Sequence, residues 1–197
     1  MPQADLKTHA PSSGAVLYFD TTAVYALATD RGNVASARDQ NRAHEIRAFV
    51  ARVQGIALRT TILTMQEVAS IAQRLMRQQR ANAAGYARWQ EFWAKDRTAA
   101  VQADLVVSAN TLQLLEWALQ ELDALGIALE RPCIIASERI SAARRLQRQH
   151  ADLLRACPSL DSMDALHILK GIEIGATDFV SFDGGWIAVP GITVYAL

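Results

Sequence analysis

The stretch "VLYFDTTAVYAL", residues 16–27, decides the fold. Its apolar opening, with residues 15–19 taken together, predicts a short buried strand. Residues 21–28 predict a short helix that begins at once. Between them stands one carboxylate, Asp20. A charge at the end of a buried strand has three readings: a helix cap, a turn residue, or a ligand at the carboxyl edge of an α/β sheet. The rest of the chain has to choose among them.

Working outward, the chain alternates. Residues 37–53 predict an amphipathic helix with Ile46, Phe49, Val50 and Val53 inward, stopped by Gly55. "ALRTTIL", 57–63, is rich in β-branched residues and predicts a second strand. A long helix is expected from about Thr64 to Arg80, and another from about 82 to 97. "DLVVSA", 104–109, is a candidate third strand, followed by a helix over 110–125. Residues 126–156 read as a helical elaboration, broken at Pro132. Residues 162–174 form a helix closed by Gly175. "DFVSF", 178–182, is a strand. Gly184-Gly185 make a turn, and "ITVYAL" is the last strand. Alternating strands and helices imply a mostly parallel sheet covered on both faces. The expectation is one α/β domain over 15–197, with four to five strands, preceded by a flexible arm over 1–14.

Composition sets bounds. At 197 residues, 51% apolar and 20% charged, the chain can bury a core, which excludes global disorder. Basic and acidic residues number 20 each. Any nucleic-acid binding must therefore come from local basic patches. Two cysteines, Cys133 and Cys157, form no CxxC or disulfide framework, so a reduced, cytoplasmic setting is expected. The first fifteen residues lack a signal peptide's apolar core, and no apolar run approaches the roughly 20 residues of a membrane span.

Four acids recur at one structural place. Asp20 ends the first strand. Glu67 is expected in the first turn of the helix after the second strand. Asp164 falls in the first turn of the helix in "SLDSMDALHIL", and Asp183 follows "FVSF". Ligands of open α/β sheets bind beyond the carboxyl ends of the strands, where strand order reverses. Each acid also has a local explanation. Thr64-x-x-Glu67 matches a capping box. Asp20, Asp161 and Asp164 suit helix starts, and Asp183 before two glycines suits a turn. Capping alone does not require acids at every strand end. A hard divalent cation does require a cluster of oxygen donors.

"LYFDTTAVYAL", "TMQEVAS" and "MDALHILKGIEIGATDFVSFD" resemble, in order and spacing, the successive motifs of the PIN domain, the ribonuclease fold of VapC-type toxins. The motifs cover about half of the chain. The resemblance implies a three-layer α/β/α PIN-like fold. It implies an endoribonuclease using one or two Mg²⁺ or Mn²⁺ ions and leaving a 5′-phosphate and a 3′-hydroxyl. Its acidic quartet falls on Asp20, Glu67, Asp164 and Asp183, as catalytic residues and metal ligands. Thr22 and Ser181 stand beside the first and last acids as supporting hydroxyls, and Asp161 is an extra acid or a cap. An RNA substrate, an antitoxin protein and a homodimer are the partners implied.

Arg74, Arg77 and Arg80, with Arg139, Arg144, Arg145, Arg148 and Arg155, are candidate phosphate contacts, or solvated helix faces. Trp89, Phe92 and Trp93 have helical spacing and read as core or interface. His167 reads as a packed core histidine. Two other functions compete. A non-catalytic PIN-like module would bind RNA or protein without turnover. A haloacid dehalogenase-type phosphatase would need a second aspartate two residues after the first, where Thr22 stands, and Lys170 matches its lysine motif poorly.

Overall fold

The computed structural model describes residues 3–131 and 139–197. Six strands form one sheet: β1 (Gln3–Asp5), β2 (Val16–Phe19), β3 (Ala57–Thr61), β4 (Ala128–Glu130), β5 (Asp178–Val180) and β6 (Thr193–Ala196). Seven helices accompany them: α1 (Thr21–Arg31), α2 (Ala37–Arg52), α3 (Ile62–Ala83), α4 (Trp89–Lys95), α5 (Arg97–Ala124), α6 (Arg139–Ala156) and α7 (Ser162–Glu173). A short 3₁₀ turn covers Gly184–Ala188.

The strand order is β1-β6-β5-β2-β3-β4, and every pairing is parallel. From β2 the chain moves outward to β3 and β4. It then returns to the other side of β2 for β5 and β6. Strand order therefore reverses between β2 and β5, where Leu17 lies opposite Asp178 and Phe19 opposite Val180.

The pleat sorts β2 into two cores. Leu17 and Phe19 pack with α1, α2, α3 and α5 on one face, together with Ile46, Phe49 and Leu114. Tyr18 packs on the other face with Leu160 and Ile168, Phe179 and Trp186. This is a three-layer α/β/α fold. No helix among the described residues is long and apolar enough to cross a membrane.

Several expectations change. The sheet has six strands instead of four to five, and it is wholly parallel. The arm expected to be loose over 1–14 supplies β1. It pairs with β6, buries Leu6, and receives a hydrogen bond from Arg52 Nη2 to the Leu6 carbonyl at 2.6 Å. Residues 104–109 are not a strand but part of the 28-residue α5. Val107 there meets the core while Leu105 and Val106 face solvent, so an apolar run with no clear alternation belongs to a helix. The third strand outward is β4, inside the segment expected to be helical over 126–156. Pro132 and Cys133 lie outside the described residues, and α6 is helical as expected. The helix expected over 82–97 is the shorter α4. β3 ends at Thr61, and α3 begins at Ile62.

Gly171 fits a tight approach. A Cβ at this position would stand 2.5 Å from the Phe179 ring, which is fully buried beneath α7.

Candidate active site

The carboxyl edge of the sheet, at the reversal between β2 and β5, carries the first acid. Asp20 follows β2 and its amide donates to the Val180 carbonyl at 3.1 Å, which sets it beside the end of β5. It is the N-cap of α1: Oδ1 accepts from the Ala23 amide at 3.0 Å. Two hydroxyls add to it. Thr22 Oγ1 donates to Oδ1 at 2.8 Å, and Ser181 Oγ donates to Oδ2 at 2.6 Å. The residue is only 3% exposed. Burial pushes its carboxyl up to about 6, against the opposing hydrogen bonds from Ser181, Ala23 and Thr22. Ser181 Oγ in turn accepts from the Asp183 amide at 3.1 Å, and Thr22 Oγ1 accepts from the Phe182 amide at 3.0 Å. The start of α1 and the segment after β5 are thus tied through the Asp20 carboxylate.

The second acid is not the cap the sequence suggested. Because α3 begins at Ile62, Thr61 is its N-cap and makes no side-chain cap bond. Glu67 therefore falls in the second turn of α3, one turn beyond the place expected, and the Thr64–Glu67 box does not form. Glu67 Oε2 instead accepts from Thr21 Oγ1 and lies 2.6 Å from His167 Nε2. Burial pushes this carboxyl up. The bonds from His167 and Thr21, with the charges of His167 and Arg74, outweigh burial and hold it below its usual range. An ionised carboxylate only accepts, so His167 Nε2 carries a proton. The other ring nitrogen, Nδ1, lies 2.8 Å from the Tyr18 hydroxyl. That hydroxyl also lies 3.1 Å from Thr61 Oγ1 and 2.9 Å from Thr64 Oγ1. If Tyr18 donates to Nδ1, its two lone pairs accept from the two threonines and the chain of bonds closes. Burial raises Tyr18 far above the usual phenol range, which keeps it a neutral donor. Among the described residues no buried side-chain polar atom lacks a partner.

Asp164 and Asp183 form the third part. Asp161 caps α7, accepting from the Met163 and Asp164 amides at 2.7 and 2.8 Å, and Asp164 Oδ2 accepts from the Asp161 amide, closing a capping box. Asp164 Oδ1 accepts from Trp186 Nε1 at 2.8 Å. Asp183 Oδ1 accepts from the Gly185 amide at 2.8 Å and caps the 3₁₀ turn. Burial raises Asp164. The Trp186 bond opposes this, and the charges of Asp183 and Asp161 raise it further.

The acids therefore lie on one edge but in distinct bonded groups. Asp20 and Asp183 share Ser181. Asp164 and Asp183 repel each other. Glu67 belongs to the Thr21–His167 group, one residue from Asp20 through Thr21. Among the described residues, no three His, Cys, Asp or Glu side chains are grouped so as to hold one ion as they stand. The donor chemistry nevertheless suits a hard divalent cation. The donors are carboxylate oxygens, and Asp20 and Asp164 are raised by burial, a cost that a cation would relieve. Glu67 Oε1 and Asp183 Oδ2 have no hydrogen-bond partner among the described residues.

Trp186, Tyr18, Thr21, Thr61 and Thr64 were not singled out in the sequence, and His167 was read only as packing. His167 is packed, at 1% exposed, but it also bonds Glu67. One signal pointed to Tyr18. A phenol in the middle of a buried strand needs a partner for its hydroxyl.

The cationic residues are spread out. Arg77 pairs with Asp104 at 2.7 Å, and Arg155 with Asp152 at 2.9 Å. Arg74, Arg80, Arg144, Arg145 and Arg148 are exposed. Arg139 opens α6. Phe92 is buried in a small satellite core with Trp89 and Trp93 at its margin. No family model, no curated protein and no solved structure matches this chain.

Proposed function

We propose that the chain is a metal-dependent endoribonuclease of PIN-like type, with Asp20, Glu67, Asp164 and Asp183 as its acidic set. One observation carries the reading. A buried carboxylate, raised to about 6, stands at the strand-order reversal with three more acids along the same edge. Asp20, Asp164 and Asp183 would hold one or two Mg²⁺ or Mn²⁺ ions, with Glu67 beside them through Oε1. Such an ion, when bound, lowers the pKa of its water and stabilises charge on phosphate oxygens.

The chain's own residues do the rest. Thr22 and Ser181 fix the Asp20 carboxylate in one rotamer. His167, itself fixed by Tyr18, and Thr21 fix Glu67. Trp186 orients Asp164. The side chains are thus oriented before substrate arrives, which is what positioning contributes to rate. Arg74, close enough to lower the Glu67 carboxyl, is the cation nearest the edge for a phosphate.

The test is RNA cleavage with Mg²⁺ or Mn²⁺ by the parent chain, Asp20→Asn and Asp164→Asn. The parent should leave 5′-phosphate and 3′-hydroxyl ends. Each variant should lose at least about 100-fold in rate, comparable to removing one electrostatic stabiliser. Highly purified Asp164→Asn protein that cleaves at the parent rate would refute the reading.

A second reading has its own observation. Every acid has a local structural role, as cap, turn or network member. A non-catalytic module that binds RNA or protein at this edge is consistent with that, and it predicts binding without metal-dependent turnover. Within the first reading, the chain is the toxin of a pair, whose antitoxin would cover the acidic edge, and a second copy of the chain is its other partner. Growth arrest on expression, relieved by a cognate small protein, is the measurement for the pair.

A further inference from the structure

The outer face of α5 is apolar. Leu105 and Leu112 are each 68% exposed and Leu119 is 47% exposed. Val101 is also exposed, and Leu115 is partly buried. The positions Val101, Leu105, Ser108, Leu112, Leu115 and Leu119 follow one another at intervals of 4, 3, 4, 3 and 4. That is the spacing of a coiled-coil seam. The opposite face of α5 is buried, through Val107, Thr111, Leu114, Ala118 and Leu122. A helix that is apolar all round belongs in a buried place. Here one side faces solvent.

We propose that this seam pairs with the same seam of a second copy, the two α5 helices running antiparallel about a two-fold axis. The proposal does not depend on the nuclease reading. The spacing itself selects a copy. The seam is symmetric about position 110. Antiparallel pairing therefore sets Val101 against Leu119 of the partner subunit, Leu105 against the partner's Leu115, and Ser108 against the partner's Leu112. No apolar layer is left facing a charge.

The ends agree in charge. The first turn of α5 holds Arg97 and no acid, and the last turn holds no base. Asp123 is exposed near the C-terminal end. Antiparallel pairing brings Arg97 to the end of the partner helix that carries Asp123 and the negative end of the helix dipole. Parallel pairing would set Asp123 against Asp123 and align the two dipoles. The solvent flank brings Gln102 near Glu116 of the partner subunit and Ala109 near the partner's Ala109, so no like charges meet. The seam from Val101 to Leu119 is about 27 Å long at 1.5 Å per residue.

The experiment is sedimentation equilibrium on the full chain from about 1 to 500 µM. The parent should show a reversible monomer–dimer equilibrium. Leu112→Glu, at a site exposed in the monomer, should raise the dimer Kd at least about 100-fold by burying an unpaired charge, with the monomer's thermal unfolding unchanged. Arg97→Asp should weaken the dimer about tenfold, and Arg97→Asp with Asp123→Arg should return it to within about threefold of the parent. A parent that stays monomeric at the top concentration overturns the proposal, including the case in which it binds a different protein there. A dimer indifferent to Leu112→Glu overturns the seam. A double variant no better than Arg97→Asp overturns the antiparallel register.

Discussion

Replacing Asp20 by Asn should stabilise the metal-free protein at neutral pH and do nothing of the kind at low pH. Asp20 is fully buried, and burial raises its carboxyl from 3.8 to about 6. A proton is then held more tightly by the folded chain than by the unfolded one. Stability falls as pH rises from about 4 to about 6, because the unfolded chain ionises freely and the folded one does so at a cost. At about 1.4 kcal/mol per pH unit, the full cost above pH 6 is about 3 kcal/mol. Below pH 4 the group is neutral in both states and the cost is absent.

Asparagine keeps the volume and still offers an oxygen to the Ala23 amide. Its amide group, however, meets Ser181 Oγ, which donates to Oδ2 in the parent. The buried Ser181 hydroxyl loses its acceptor, at a cost of about 1 kcal/mol or more. The net gain for Asp20→Asn at pH 7 is therefore about 2 kcal/mol, turning into a loss of about 1 kcal/mol at pH 4. The assay is urea unfolding of both proteins with chelator, at half-unit steps from pH 4 to pH 7.5. Other groups titrate equally in both chains, so the difference isolates Asp20. A difference that stays flat across this range would refute the argument, since it would mean that Asp20 is not a costly buried charge.

Three further outcomes follow from the same geometry. Millimolar Mn²⁺ should stabilise the parent to urea by RT ln(1 + [L]/Kd), about 2.7 kcal/mol at a hundredfold excess over Kd, and Asp164→Asn should lose most of that gain; an equal gain in both proteins removes Asp164 from the ligand set. Tyr18→Phe should cost about 1–3 kcal/mol in denaturant unfolding, because His167 Nδ1 and the Thr61 and Thr64 hydroxyls lose their shared partner inside the core; a neutral change would mean that water replaces the phenol. Gly171→Ala should cost about 1–3 kcal/mol, because its Cβ meets the buried Phe179 ring; a change within experimental error would mean that α7 shifts freely over the sheet.

Much of the fold was legible where local pattern and tertiary burial agree. β2 and α1, α2, α7 and β6 all combine a clear period with a cap or a stopping glycine. The failures have physical causes. α5 is apolar on both sides, so residues 104–109 offered an uninterrupted apolar run that periodicity could not assign. β1 lies in a polar stretch of three residues, and its pairing comes from β6 at the other end of the chain, which no local signal reports. In "TTIL" the β-branched residues continue past the strand, but pairing with β2 and β4 ends by Thr61, and the chain turns into α3 at Ile62. That two-residue change moves Glu67 from a cap position to a partner for His167. The acids were legible as a set, because each follows a strand or opens a helix. Their bonding was not, because it joins residues such as Tyr18 and His167 that lie 149 positions apart.

Capping and cation binding do not exclude each other at this edge, and the cost of ionisation separates them. A cap needs one accepting oxygen, and asparagine or serine supplies it as well as aspartate does. Asp161, exposed at the start of α7, has no ionisation cost to explain and is accounted for by its capping box. Asp20 is different. It caps α1, but it does so in a site where its charge is disfavoured and where two hydroxyls and a backbone amide are directed at it. Asparagine at position 20 would keep the helix cap without the cost of a buried ionising group. Stability alone would therefore favour the amide. The added feature of the acid is its negative charge, which becomes favourable only when a cation is beside it. Asp164 is raised by the same causes, with Asp183 adding repulsion. Two carboxylates held against their own ionisation on one sheet edge support a cation site over four independent caps.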